Sequence, residues 1–273
     1  MPSSRRLERE AARRRKHRRG QAIAAGSSVV VLGGLALLIL SSPGWPDVKE
    51  TFFNWEVFKD SFPDVLRAFW LDVKLFLTIE AAVLAVGLVI ALVRIARSPA
   101  VFPLRILAVV WVDLFRGIPT ILLIFLIGFG VPALRLDGVP TDPVILGAIA
   151  IGLSYSAYVA EVYRAGVNSV HRGQRDAALA VGLTETQAMR HVILPQAVRR
   201  VAPPLLNDFV ALQKDVALIS ILGPLEAFRE AQIIESQLFN FTPLVAAALL
   251  YLAVTIPTAR IVDRMGGPEG AVR

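Results

Sequence analysis

Six ionisable residues lie inside long apolar stretches of this sequence: Glu80, Asp113, Arg116, Asp208, Lys214 and Asp215. A charge in hydrocarbon is costly, so such a residue either pairs with a neighbour or serves a ligand or a gate. Asp113 and Arg116 stand at i, i+3 and can pair with each other. The alternative is that Arg116, just ahead of the Gly117–Pro119 break, lines a polar pathway, as broken helices do elsewhere in membranes. Lys214 and Asp215 are adjacent and point to different faces, so at least one must meet another helix or a second subunit. For Lys214 a structural or gating role is preferred over direct ligand contact. Glu80 is expected to face the protein interior or water, with recognition of a cation as the alternative. Tyr155, Ser156 and Tyr158 add hydroxyls, and Tyr155 and Ser156 sit deep enough to line a cavity. Catalytic chemistry is poorly supplied. There is no cysteine, hence no disulfide, thiolate metal site or thiol nucleophile. The histidines, His17, His171 and His191, have no metal-ligand spacing. No catalytic residue, metal site or bound cofactor is therefore assigned to this chain.

The elements that must position these groups follow from composition. The 273 residues are 55% hydrophobic, with a mean hydropathy of +0.59, above ordinary soluble usage. The apolar residues gather into blocks near the 20 residues that a membrane helix needs. Six spans are expected, at residues 21–42, 70–93, 106–130, 143–163, 202–224 and 242–262. The fold class is all-α, a polytopic membrane protein. Residues 1–20 form a basic tail, 21–42 a retained first helix rather than a cleaved signal peptide, and 43–68 an outside loop. Residues 69–264 form the core, and 265–273 a C-terminal tail. If the N-terminus is inside, cytoplasmic segments carry 21 of the 29 Lys and Arg and outside loops carry 5. That bias predicts both termini in the cytoplasm and places residues 164–200 there.

The stretch QRDAALAVGLTETQAMRHVILPQ, residues 174–196, reads as two short helices and a turn. Gly182 can cap the first in a left-handed conformation. Thr184 and Gln187 have capping-box spacing for the second, which Pro195 is expected to end. Such a hairpin resembles a DNA-reading helix-turn-helix, but the flanking spans hold it at a membrane, and no nucleic acid is expected. Ala177, Ala178, Val181 and Gly182 make a small-residue face. Met189, Val192 and Ile193 are expected as apolar anchors for the groove of a partner.

Asp176-Ala177-Ala178, then Gly182, then Val192-Ile193-Leu194-Pro195 resemble the EAA–Gly–Ile-x-Leu-Pro pattern of bacterial ABC importer permeases. Asp176 stands for Glu, and Val192 for Ile. Phe115-Arg116-Gly117-Ile118-Pro119, residues 156–183 and residues 194–215 resemble the polar amino acid permeases, of histidine, glutamine and glutamate type. The likeness covers about residues 69–264. Val216 and Ala217 replace that subfamily's two hydroxyl residues.

The resemblance implies a type I importer core. It implies that Glu161, Gly173, Asp176, Ala177, Ala178, Gly182, Leu194 and Pro195 shape a cytoplasmic loop seated in an ATPase dimer. Arg116, Tyr155, Ser156 and Lys214 are pathway or gate candidates. The implied partners are that ATPase, a second permease, identical or paralogous, an extracytoplasmic binding protein and an amino acid substrate. ATP and Mg are expected on the ATPase, since GxxxxGK[ST] does not occur here. An ABC permease for another small solute, an ATPase-independent transporter and a membrane-anchored DNA-binding regulator are the alternatives. The expected location is the bacterial cytoplasmic membrane.

Overall fold

The computed structural model describes residues 4–96 and 98–265, with side chains for 20–21, 23–96 and 98–262. Residues 1–3 of the basic tail, Arg97 and residues 266–273 of the C-terminal tail lie outside the described residues. Every described secondary-structure element is helical.

The chain divides into two units, residues 1–54 and 55–273. The first holds α1 (Ser4–Leu40) and α2 (Trp45–Phe52). Within α1, the window Ile23–Leu40 has a mean hydropathy of 2.4, and none of it is buried in the protein. An exposed apolar stretch of this length is suited to lipid.

The second unit begins with α3 (Trp55–Ile95). Residues 43–68 were expected as a loop, but most are helical, in α2 and the first turns of α3. Pro63 and the charges around it have the character of a loop, yet Val65 and Phe69, four residues apart, share one helix face. They pack on Ala227, Ala231 and Ala247, and this burial outweighs the local propensity.

The expected third span is not one helix. α4 (Phe102–Gly117) and α5 (Thr120–Gly128) meet at Ile118–Pro119, where the chain bends by 102°. Pro119 forces Ile118 into an extended conformation, φ −94° and ψ 128°, which no helix can contain. A short α6 (Gly130–Ala133) follows.

At the centre lies α7 (Pro143–Asn168), started by Asp142, whose carboxylate accepts from Ile145 N at 3.0 Å. It packs on α3, α4 and α5. Contact with α3 is close enough that a Cβ at Gly87 would lie 2.7 Å from Val159 Cγ1. Ile79, Val83, Ile124, Ile151, Leu212 and Ile219 fill the main core.

After two short helices, α8 (Arg172–Ala180) and α9 (Glu185–Ala188), come α10 (Leu194–Asp215), a 3-10 segment (Val216–Leu222), α11 (Ala227–Leu238) and α12 (Thr242–Met265). Among the described residues, four helical stretches are long and apolar enough to cross a membrane, or five if the bent pair is one span. The expected fifth span, shared by α10 and the 3-10 segment, is not among them. Of its charges, Asp215 accepts from Tyr155 and Asp208 is half-buried, while Lys214 is exposed.

Candidate functional site

Two groups of residues stand out: the hairpin between α7 and α10, and a line of polar side chains through the core. The hairpin is built from local signals. His171 Nδ1 accepts from Gly173 N at 3.1 Å and so starts α8. Gly173 permits this, because a Cβ there would sit 3.0 Å from the same ring nitrogen. Gly182 ends α8 with φ +88°. Leu183 N donates to Ala178 O and Gly182 N to Leu179 O, at 3.2 and 3.0 Å, the paired bonds of a Schellman turn. The capping box forms as expected: Gln187 N donates to Thr184 Oγ1 at 3.3 Å, and Thr184 N to Gln187 Oε1 at 2.9 Å.

Pro195 does not end the second helix. Residues Met189–Ile193 form a π-helical turn that runs into α10, and Pro195 lies in the first turn of α10. The first turn of a helix tolerates a missing N–H, and a π turn is a common way to absorb a local mismatch.

Of the expected anchors, Ile193 turns inward to pack with Val170 and Ala197, and Val192 packs against the same group. Ala178 is buried too. The apolar side chains left in the open are Val181, 78% exposed, Val198, 58%, Leu194, 46%, and Met189, 38%. Asp176, Ala177, Gly182 and Pro195 are also exposed.

Ion pairs that the sequence did not announce hold the hairpin and its base. Arg175 Nε donates to Glu185 Oε2 at 2.9 Å, and its Nη2 to Oε1, joining α8 to α9 across the Gly182 turn. Glu161 accepts from Arg94 Nη1 at 2.7 Å and from Arg164 Nε at 3.0 Å. It therefore joins the end of α3 to the last turns of α7. The opposite charges flanking Gly182 were the one local signal for the first pair. The second is 67 residues apart in sequence.

In the core, Tyr155 donates to Asp215 Oδ2 at 2.8 Å. Arg116 does not pair with Asp113. Its guanidinium lies over the Tyr158 ring, 5.3 Å from the centroid, and Tyr158 donates to Arg116 O at 3.4 Å. Asp208 interacts with Arg116, and Glu80 with Asp208. Asp208 Oδ2 is buried without a hydrogen-bond partner. Glu80, Arg116, Tyr155, Tyr158, Asp208 and Asp215 thus form one polar group drawn from α3, α4, α7 and α10.

The other two pathway candidates lie elsewhere. Lys214 is exposed. Ser156 accepts from Trp111 Nε1 at 3.3 Å and donates to Leu153 O at 2.8 Å. It lines a hollow of about 500 Å³ between α3, α4 and α7, walled mainly by aliphatic side chains such as Ile79, Val83 and Ala148. Among the described residues, no three His, Asp or Glu side chains converge as a metal site would require.

Comparison with known proteins adds a family, two relatives and two solved structures. Residues 84–266 match the family described as binding-protein-dependent transport system inner membrane component. The chain is 36% identical to the probable amino-acid permease protein YxeN of Bacillus subtilis, over 74% of this chain and 90% of that protein. It is 32% identical to the glutamine transport system permease protein GlnP of Escherichia coli, over 78% of this chain and 96% of that one. A crystal structure of an amino acid ABC transporter with histidines superposes with a TM-score of 0.68 at 29% identity, covering 75% of this chain and 93% of that one. The inward-facing MetNI methionine ABC transporter, at 18% identity and a TM-score of 0.57, shares the fold.

Proposed function

Starting from a chain that belongs to the binding-protein-dependent transport inner membrane family, the permease subunits of ABC importers, we propose that it lines half of the path of an amino acid importer in a bacterial cytoplasmic membrane. Both termini lie in the cytoplasm. A second permease, identical or paralogous, completes the path. ATP and Mg are bound by a separate ATPase dimer and not by this chain. An extracytoplasmic binding protein delivers the substrate. The amino acid assignment rests on the curated relatives and on the amino acid ABC transporter solved with histidines.

The hairpin between α7 and α10 is the coupling element. The observation that carries this is its exposed apolar edge. Val181, Met189, Leu194 and Val198 stay open, on a turn fixed by a left-handed glycine, a capping box and an ion pair. Open apolar side chains on the hairpin, Val181 and Met189, and on the adjoining first turns of α10, Leu194 and Val198, are suited to a groove in a partner. Motion of the ATPase would pass through α9 and the π turn into α10, and through Asp208 and Asp215 to the polar group in the core. Glu161, by tying α7 to α3, lets both helices move together.

A photocrosslinker at Val181, in membranes holding the whole importer, tests the assignment. Crosslinking to the ATPase, altered by ATP, is expected. An intact complex with no crosslink to the ATPase from Val181 or Met189 overturns it.

A further inference from the structure

Two buried carboxyl groups and a half-buried tyrosine, all outside the proposed path, meet at the start of α11. Asp72 of α3 is 2% exposed and Glu226, the residue before α11, is 0% exposed. Glu226 accepts from Phe228 N and Arg229 N, both at 2.7 Å, and from Tyr251 Oη of α12 at 3.3 Å. Asp72 Oδ2 accepts from Ala227 N at 3.1 Å, across 155 residues of sequence. Asp72 Oδ1 is buried and has no hydrogen-bond partner. The two carboxyl groups are close enough to interact directly.

No Lys or Arg among the described residues forms an ion pair with either one. The elements packed here bring few other titratable groups. α12 brings Tyr251. The first turn of α11 itself carries Arg229, which donates to Gln232 at 2.8 Å, and Glu230. The 3-10 segment Val216–Leu222 carries none. A helix N-terminus favours one negative charge, but two carboxylates in one buried spot cannot both stay ionised. Glu226 has both oxygens occupied by backbone donors and is suited to the charge. Asp72 Oδ1 has no donor and is suited to the proton.

We propose that Asp72 and Glu226 share a single proton, carried on Asp72 Oδ1 and donated to the Glu226 carboxylate, whose oxygens have a second lone pair free, and that this protonated pair pins the first turn of α11 to α3 and α12. The pin matters for transport because of what precedes it. The 3-10 segment ahead of α11 plugs the core: a Cβ at Gly147 would lie 2.9 Å from Ile219 Cγ1, and one at Gly128 would meet Leu222. Holding α11 holds that plug. Asp72 and Glu226 are therefore positioning residues, and the seat weakens as alkaline conditions remove the proton.

The test is amide exchange of residues 227–238 in the assembled complex, across pH and corrected for intrinsic rates, with uptake measured in parallel. Wild type should lose protection and uptake on the alkaline side. Asp72→Asn puts a permanent N–H where the proton sits and keeps an oxygen for Ala227 N. It should stay protected and active at alkaline pH. Asp72→Ala should be unprotected throughout. Identical pH profiles for wild type and Asp72→Asn overturn the proposal, as does loss of protection in Asp72→Asn at every pH. The uptake arm rests on the transport reading, but the exchange arm does not. A pH step in protection without any uptake would count against transport alone.

Discussion

Gly182 gives the sharpest handle on the hairpin. Its φ is +88°, and a Cβ there would meet nothing within 4 Å. Replacement by alanine therefore costs only the conformational strain of a left-handed L residue, about 1–2 kcal/mol. That is roughly a 5- to 30-fold loss in the population of the formed turn. If the ATPase binds only the formed turn, its affinity falls by up to the same factor. Asparagine enters this region more readily, so Gly182→Asn should bind nearly as wild type. Proline fixes φ near −65° and has no N–H, so it also removes the bond from Gly182 N to Leu179 O at 3.0 Å. Gly182→Pro should abolish docking while the permease still inserts, because the turn lies outside every expected span. The assay is co-purification of the ATPase with the tagged permease, normalised to permease in the membrane. The expected order is wild type, Asn, Ala, Pro. Wild-type recovery of the ATPase with Gly182→Pro would refute the reasoning.

Other perturbations follow from the same contacts. Glu161→Ala leaves Arg94 and Arg164 without their shared acceptor. It should cost roughly 1.5–3 kcal/mol, read as a lower midpoint in thermal unfolding of the detergent-solubilised complex. Gly166→Ala places a Cβ 1.9 Å from Val201 Cγ2, which should cost about 1–3 kcal/mol by overpacking. Adding Val201→Ala should recover much of that loss, and the same melting experiment checks both. Tyr155→Phe strands Asp215 Oδ2 inside the protein. It should lower uptake more than it lowers ATPase recovery, which separate measurements of each would show.

What the sequence made legible was local. Gly182, Thr184 and Gln187 act through neighbours within five residues, and their expected caps form. The break at Gly117–Pro119 was equally readable, because a pre-proline residue is restricted by its own chain. Its 102° bend was not, because packing against α7 sets that angle. Pro195 misled, since one proline can either stop a helix or sit in its first turn, and only the π turn before it decides. Pro63 and its charged neighbours hid the start of α3, although Val65 and Phe69 kept helical spacing.

Long-range pairs left no local trace. Arg94 with Glu161, Tyr155 with Asp215, and Asp72 with the start of α11 join distant segments. The sequence marked Tyr155 as a hydroxyl deep enough to line a cavity, and Arg116 as either half of a pair with Asp113 or a pathway residue, without their partners. The fold instead gave Arg116 the Tyr158 ring, and set Ser156 and Lys214 apart from the polar group.

The most direct test of the central claim is uptake of a labelled amino-acid panel into vesicles. The vesicles would carry this chain with its ATPase, partner permease and binding protein, with ATP on the cytoplasmic side. The account predicts uptake of one or a few amino acids, strictly dependent on ATP and lost with Gly182→Pro. Uptake that proceeds equally without nucleotide would contradict the importer. No amino acid uptake from a complex whose ATPase is active would contradict the substrate assignment.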